Sequence, residues 1–139
     1  MIRRAWLSQT RDRGAAAIEF ALLFPLLMLI LFGIIDFGRA LNAQITLTQA
    51  AREGARLDAL GEPNVTSQTQ SAATGLSPVS VNVTACPPGA GPNVNAQVDV
   101  SYTFNFVTPV GAIAGLIGGS GGLGSPVTLT ATGVMPCET

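Results

Sequence analysis

A long run of apolar residues near the N-terminus constrains this chain more than any other feature. Residues 15–35, AAAIEFALLFPLLMLILFGII, carry a single charge, at Glu19. About 20 apolar residues in a helix span the roughly 30 Å hydrocarbon core of a bilayer, and a membrane helix tolerates the internal Pro25. A cleaved secretory signal has a shorter apolar core followed by small residues at the cleavage site, whereas DFGR follows here. We therefore predict a helix that spans the membrane at 15–35.

The arginines predict how this helix is oriented. Four of them precede the apolar run, at positions 3, 4, 11 and 13, with one acid, Asp12, among them. The segment just after the run is mixed in sign. Because positively charged flanks stay in the cytoplasm, we predict a single pass with a cytoplasmic N-terminus and an extracytoplasmic C-terminal region.

Residues 36–58 are predicted to continue the same helix beyond the membrane. Phe37, Leu41 and Ile45 recur every four residues and form one helical stripe. The alanines around positions 50–55 also favour helix. Gly61 and Pro63 then end it. The prediction is one helix over 15–58, of which the second half projects from the membrane.

The remaining residues, 59–139, are predicted to form a β-rich head. Residues 64–75 are either a short helix capped by Asn64 or a polar linker. Apolar and polar residues alternate at 79–85, 94–106 and 126–134, which is typical of half-buried strands. The fold class is therefore α+β, with a small antiparallel sheet of about three strands that packs one face on the projecting helix.

The charge distribution excludes several classes of function. All seven basic residues are arginines, none lies after position 56, and the chain has no His. A nucleic-acid binder needs a dense basic face, which the C-terminal region lacks. Beyond the helix, the carboxylates of Glu62, Asp99 and Glu138 have no companion base or metal-ligand set. We therefore predict a protein that is not an enzyme, with no cofactor, no metal and no nucleic-acid partner.

Two cysteines, Cys86 and Cys137, fall in the part predicted to be exported. They are not in a C-x-x-C arrangement, so a redox role is not indicated. In an oxidising compartment such a pair favours a disulfide. The bond would close a loop of about 50 residues and contribute roughly 4 kcal/mol by the chain-entropy argument. The alternative is two buried free thiols.

The start of the apolar run has an unusual pattern. A basic leader, residues 1–14, ends at Gly14, Ala15 opens the apolar run, and Glu19 is its fifth residue. A carboxylate inside an apolar helix near the membrane costs about 1–3 kcal/mol, so something should offset that cost. The alternative is that Glu19 reaches water at the interface and that Gly14 is an ordinary loop residue.

Residues 13–56 resemble the TadE-like family of pilus assembly proteins. In that family an RG-AAAVEFAL-type start leads through an apolar helix to a D/EFGRA patch and then an AAREGAR patch. The corresponding patches here are Asp36-Phe37-Gly38-Arg39-Ala40 and Ala50-Ala51-Arg52-Glu53-Gly54-Ala55-Arg56. The strands of the C-terminal region carry no matching signature.

The resemblance implies a minor pseudopilin, a non-catalytic assembly component of a Tad, or Flp-type, type IV pilus in a bacterial inner membrane. A prepilin peptidase would cut between Gly14 and Ala15, and Glu19 would then pair with the new N-terminal amine of a neighbouring subunit. Major Flp pilins have Tyr after this Glu, whereas this chain has Phe20, which favours an accessory subunit. The implied partners are the prepilin peptidase, other pseudopilins and pilus assembly proteins, and the lipid bilayer.

Two alternatives stay open. The charges at 52–58 are either a solvated helix face with local ion pairs or a contact that sets the register between subunits. The rival for the whole chain is an unprocessed, membrane-anchored module whose Thr- and Asn-rich sheet binds envelope or surface ligands. A leader retained in the mature protein would favour that rival.

Overall fold

The computed structural model describes residues 9–112 and 124–138. The elements are α1 (Gln9–Ala59), α2 (Val65–Ala72), β1 (Val79–Thr84), β2 (Asn95–Phe104) and β3 (Val127–Pro136). This order confirms the predicted α+β layout, in which a long N-terminal helix precedes a small three-stranded antiparallel sheet. Helix α1 already begins at Gln9, inside the predicted leader, whose first eight residues lie outside the described part.

The N-terminal half of α1 is apolar and exposed. Within the described residues, one helix is long and apolar enough to cross a membrane, and its most apolar window has a mean hydropathy of 2.6 with none of it buried. A soluble protein would bury such a surface against its own core. The chain therefore has the single-pass membrane anchor that the sequence predicts.

The C-terminal end of α1 is closed by the predicted glycine. Gly61 has φ 71, a left-handed conformation that costs glycine little. Its N–H donates to Asp58 O at 3.0 Å, and the N–H of Glu62 donates to Leu57 O at 3.0 Å. These two bonds form a Schellman motif, which satisfies carbonyls that the helix itself leaves unpaired.

The chain forms two compact units. One contains the residues up to Asp36 together with Val107–Gly124, and the other contains Phe37–Phe106 and the residues from Ser125 onward. The first unit thus holds the apolar half of α1 and part of the β2–β3 connection. The second unit holds the rest of α1, α2 and the whole sheet.

In the second unit, β2 is the central strand of the sheet. It pairs antiparallel with β1, from Val79↔Tyr102 to Thr84↔Gln97, and antiparallel with β3, from Asn95↔Pro136 to Phe104↔Val127. Side chains alternate between the two faces. The inner face contributes buried Ala96, Val98, Val100, Phe104 and Ala131, with Val79 also buried at the start of β1.

The core lies between this inner face, α1 and α2. Helix α1 contributes small side chains at helical spacing. From α2, Val65 and Thr69 are buried, and the Thr69 hydroxyl donates to Val65 O at 2.8 Å, so its burial leaves no unsatisfied group. The buried residues of α1 in this unit are Ala43, Leu47, Ala50, Ala51, Gly54, Ala55, Leu57, Asp58 and Ala59.

Two glycines let backbones approach closely in this core. A Cβ on Gly133 of β3 would collide with the carbonyl of Ala51 in α1, and a Cβ on Gly54 would collide with the side chain of Thr69 and lie 3.0 Å from Val98. Because the obstacle at Gly133 is backbone, no change of rotamer would relieve it. The helix and the sheet therefore touch at nearly the minimum possible separation.

The C-terminal residues are hydrogen-bonded to the last turn of α1 and disulfide-bonded to the loop after β1. Cys86 and Cys137 form the predicted disulfide, with a Cα–Cα distance of 5.9 Å and a sequence separation of 51. The N–H of Cys86 donates to the buried carboxylate of Asp58 at 3.0 Å, and the N–H of Glu138 donates to Ala59 O at 3.2 Å. The loop after β1, the end of β3 and the last turn of α1 are thus joined at one point.

The close approach at Gly133 predicts a stability difference between two Gly→Ala variants. Gly133→Ala should lower the free energy of unfolding by roughly 1–3 kcal/mol, because the added methyl forces α1 and β3 apart. Gly38→Ala is the matched control, since a Cβ there meets nothing within 4 Å, and it should be neutral or stabilising by up to about 1 kcal/mol. Denaturant unfolding of the full chain in detergent micelles measures both. Equal stabilities would contradict the close contact.

Candidate assembly surface on the N-terminal helix

The predicted processing residues lie in the first, exposed part of α1. Gly14, Ala15 and Glu19 are all exposed, and a Cβ on Gly14 would meet nothing within 4 Å. The fold of the chain therefore does not itself require a glycine at this position. Because α1 begins at Gln9, the Gly14–Ala15 peptide bond is helical here, and a peptidase would have to unwind the first turns to reach it.

Glu19 is surrounded by apolar side chains. Its neighbours Ile18 and Phe20 are 65% and 59% exposed, and the ring of Phe20 packs on that of Phe24 at 5.6 Å. In the part of the chain that the structure describes, no cation lies next to this carboxylate. A lone carboxylate in apolar surroundings needs water or a partner from another molecule.

Asp36, the first residue of the DFGRA patch, is fully satisfied within the first unit. It is only 1% exposed, although it directly follows the exposed apolar run. Its carboxylate accepts hydrogen bonds from the N–H of Val107 at 3.3 Å and the N–H of Thr108 at 3.2 Å, and from the Thr108 hydroxyl. Several donors on one carboxylate stabilise its charged form strongly.

Arg39, from the same patch, belongs to the second unit. Its guanidinium lies 5.3 Å from the ring centroid of Phe104, which is a cation–π contact. The Phe104 ring in turn meets Phe106 edge-on at 5.4 Å. The two charged residues of this patch therefore have different roles. Asp36 binds the backbone of residues 107 and 108, and Arg39 packs on the aromatic pair at the end of β2.

The stripe of Phe37, Leu41 and Ile45 is left uncovered by the residues that the structure describes. These residues are 66%, 51% and 58% exposed, although they lie beyond the apolar run. The sheet packs instead on the neighbouring face of α1, where Ala43, Leu47 and the alanines 50, 51 and 55 are buried. An apolar stripe of this kind, at helical spacing, is the surface by which one helix packs on another.

The AAREGAR patch has two faces with different roles. Its small residues Ala50, Ala51, Gly54 and Ala55 pack inward, as described above, and its charged residues point to solvent. Glu53 and Arg56 form an exposed pair, with Nη2–Oε1 at 2.7 Å and Nε–Oε2 at 3.0 Å. The hydrogen bonds from the Arg56 side chain hold the pKa of Glu53 below its ordinary value, and the pKa of Arg56 is raised by the same bonds. Arg52, beside them, is exposed.

The outer face of the sheet is polar and nearly uncharged. Its single charge, Asp99, accepts hydrogen bonds from the hydroxyl of Thr132 at 2.6 Å and from Gln97 at 3.0 Å, which hold the pKa of Asp99 below its ordinary value. An open cavity of about 410 Å³ lies across the three strands at this point. It is lined by hydroxyls and amides such as Ser80, Asn82, Ser101 and Thr130, and this is the surface that the rival, ligand-binding function would use.

Sequence reasoning missed the partners of two helix residues. The Asp36 carboxylate is separated from Val107 by 71 residues, and no local pattern links them. The available signal was Thr108-Pro109, since a Thr before a Pro is a typical helix start. Likewise, the Gln44 side chain donates to Thr130 O of β3 at 2.8 Å, which no spacing in the sequence indicates.

Comparison with known proteins identifies the same segment as the sequence patches do. A family model described as TadE-like protein matches residues 14–56, so the predicted resemblance is confirmed over these residues, which all lie within α1. No curated protein and no solved structure matches the chain. The similarity therefore concerns the helix, and the sheet stands outside it.

Proposed function

We propose that this chain is a minor pseudopilin, a structural and assembly component of a Tad type IV pilus in a bacterial inner membrane. The observation that supports this most is the exposed stripe of Phe37, Leu41 and Ile45, within the segment that is similar to TadE-like proteins. A helix that merely tethers a domain needs apolar residues only inside the bilayer. An apolar stripe that continues beyond the span, and that the chain's own sheet leaves uncovered, fits packing against a second helix.

Glu19 supports the same function through its charge. After removal of the leader, the new N-terminal amine of a neighbouring subunit would be a cation whose size and position match the Glu19 carboxylate. Two opposite charges in a low-dielectric setting attract each other strongly, and this attraction offsets the desolvation cost that each would bear alone. The pairing would also fix the axial register between neighbouring helices.

The function proposed is non-catalytic, and the TadE-like family is itself structural rather than enzymatic. The sheet would face other minor subunits, because it is held to α1 by the Gly133 contact and by the hydrogen bonds from Cys86 and Glu138 to the last turn of α1. The prepilin peptidase and the other Tad pilus proteins are the partners that this function requires. The rival, an unprocessed binding module, finds some support in the polar cavity near Asp99, but it leaves the exposed helix stripe without a role.

Processing at Gly14 is the first consequence that can be tested. Co-expression with the prepilin peptidase of a Tad system should give a mature chain that starts at Ala15, as read by intact mass and N-terminal sequencing. Gly14→Val should block the cut, because the substrate backbone must come close to the peptidase. Gly38→Val is the control, since a Cβ there also meets nothing within 4 Å. Any other mature N-terminus would count against processing at Gly14, and a retained leader in the natural host would favour the rival function.

The charge of Glu19 is predicted to act in assembly and not in insertion. Glu19→Gln removes the charge but keeps the shape and polarity, so the chain should still insert while co-purifying less of the other pilins from its host membranes. Glu19→Asp should restore part of the association. Glu62→Gln, at an exposed carboxylate after the end of α1, is the control and should change little. Equal recovery of pilins with Glu19→Gln and with the unchanged chain would refute the pairing.

The exposed stripe predicts a difference between two leucines of similar exposure. Leu41 on the stripe is 51% exposed and Leu60 off the stripe is 48% exposed, so neither change to Ser should harm the fold. Leu41→Ser should weaken co-purification with other pilins by about tenfold, which corresponds to about 1.4 kcal/mol. Leu60→Ser should leave it unchanged. If both variants behave alike, the stripe is not the packing surface.

A further inference from the structure

We propose that the segment Val107–Ala112 is a second lipid-contacting element, held by Asp36 in the interfacial layer of the bilayer. The surface that this segment contacts would be the lipid bilayer, next to the part that the apolar half of α1 spans. The inference rests on α1 being a membrane anchor, and it does not depend on processing or on a role in a pilus.

The hydrogen bonds of Asp36 fix where this segment lies. The N–H groups of Val107 and Thr108 donate to the carboxylate at 3.3 and 3.2 Å, and the Thr108 hydroxyl donates as well. All of these residues belong to the first unit. Residues 107 and 108 are therefore held beside the helix at the level where its apolar run ends, after Ile35.

That level corresponds to the boundary between hydrocarbon and head groups. Asp36 is the first charged residue after the apolar run, and Arg39 follows three residues later in the same helix, about 4.5 Å further along its axis. Charged residues directly after an apolar run mark where the helix leaves the hydrocarbon. A segment held at Asp36 therefore lies at this boundary, in the interfacial layer.

The chemistry of the segment suits this layer. Val107 is 73% exposed, Pro109 and Ala112 are also exposed, and the whole β2–β3 connection, residues 105–126, contains no charged residue. Apolar residues without charges partition into the interface next to an existing anchor. Exposed to water, the same residues would form an apolar patch with no function.

Several backbone positions of this segment also have no N–H group that would need water as a hydrogen-bond acceptor. A helical turn includes residues 110–112, and Pro109 before it has no N–H to satisfy. The two preceding N–H groups, of residues 107 and 108, are already bonded to Asp36. Unpaired donors are what exclude irregular backbone from lipid, and Asp36 removes two of them here.

Lipid quenching of single labels on the full chain tests the inference. A nitrobenzoxadiazole label is placed on a single new cysteine, in Val107→Cys, Leu27→Cys or Val134→Cys, after mass analysis shows that the native disulfide is intact. Each labelled chain is then reconstituted in phosphatidylcholine vesicles with brominated acyl chains. Leu27 lies in the span, and Val134 is an equally aliphatic residue of β3, 52% exposed. The label at 107 should lose fluorescence and shift to the blue with bromines near the head groups, whereas the label at 134 should not respond.

The controls separate failure of this inference from failure of the anchor. Quenching at 27 with a label at 107 that behaves like the one at 134 would overturn the inference and leave the anchor standing. No quenching at 27 would remove the anchor and the inference with it. Asp36→Ala should reduce quenching at 107, while Asp99→Ala, a carboxylate on the sheet, should not. Unchanged quenching with Asp36→Ala would overturn the role given to Asp36.

Discussion

The close contact between the backbones of α1 and β3 decides which surfaces of the helix remain available. Gly133 lies against the carbonyl of Ala51, so the sheet packs on the face of α1 that carries the buried alanines and Leu47. A helix offers a sheet one face at a time, and choosing the alanine face turns Phe37 and Leu41 outward. The fold of the head thus creates the uncovered stripe on which the proposed assembly depends.

Much of this arrangement follows from local chemistry and could be predicted from the sequence. The apolar run sets the anchor, alternation sets the three strands, and Gly61 ends α1 because it adopts the left-handed conformation that a Schellman motif requires. The disulfide followed from two cysteines in a segment that is predicted to be exported. The TadE-like patches indicated a family resemblance of α1, which the family match over residues 14–56 confirms.

What the sequence could not supply was the choice among contacts distant in the chain. The helical periodicity reveals both the stripe of Phe37, Leu41 and Ile45 and the alanine face, but it does not show which of them the sheet covers. Hydrophobicity alone would predict that Leu41 is buried. The structure instead buries the face that carries Leu47 and the alanines, where Gly133 lets the backbones of β3 and α1 come close together. Residues 64–75 include the short helix that was one of two predicted alternatives, with Asn64 at its N-cap position, but Asn64 is in a left-handed conformation and its side chain makes no capping hydrogen bond.

The two carboxylates of the anchor differ in a way that connects the fold to assembly. Asp36 receives three hydrogen bonds from residues 107 and 108, so its charge is stabilised whether the chain is alone or assembled. Glu19, on the same helix, has no such donors among the described residues. The desolvation cost of an apolar environment therefore falls on Glu19 alone, and a cation from another chain would lower it. Among the described residues, Asp36 thus has its hydrogen-bond donors, whereas Glu19 has none.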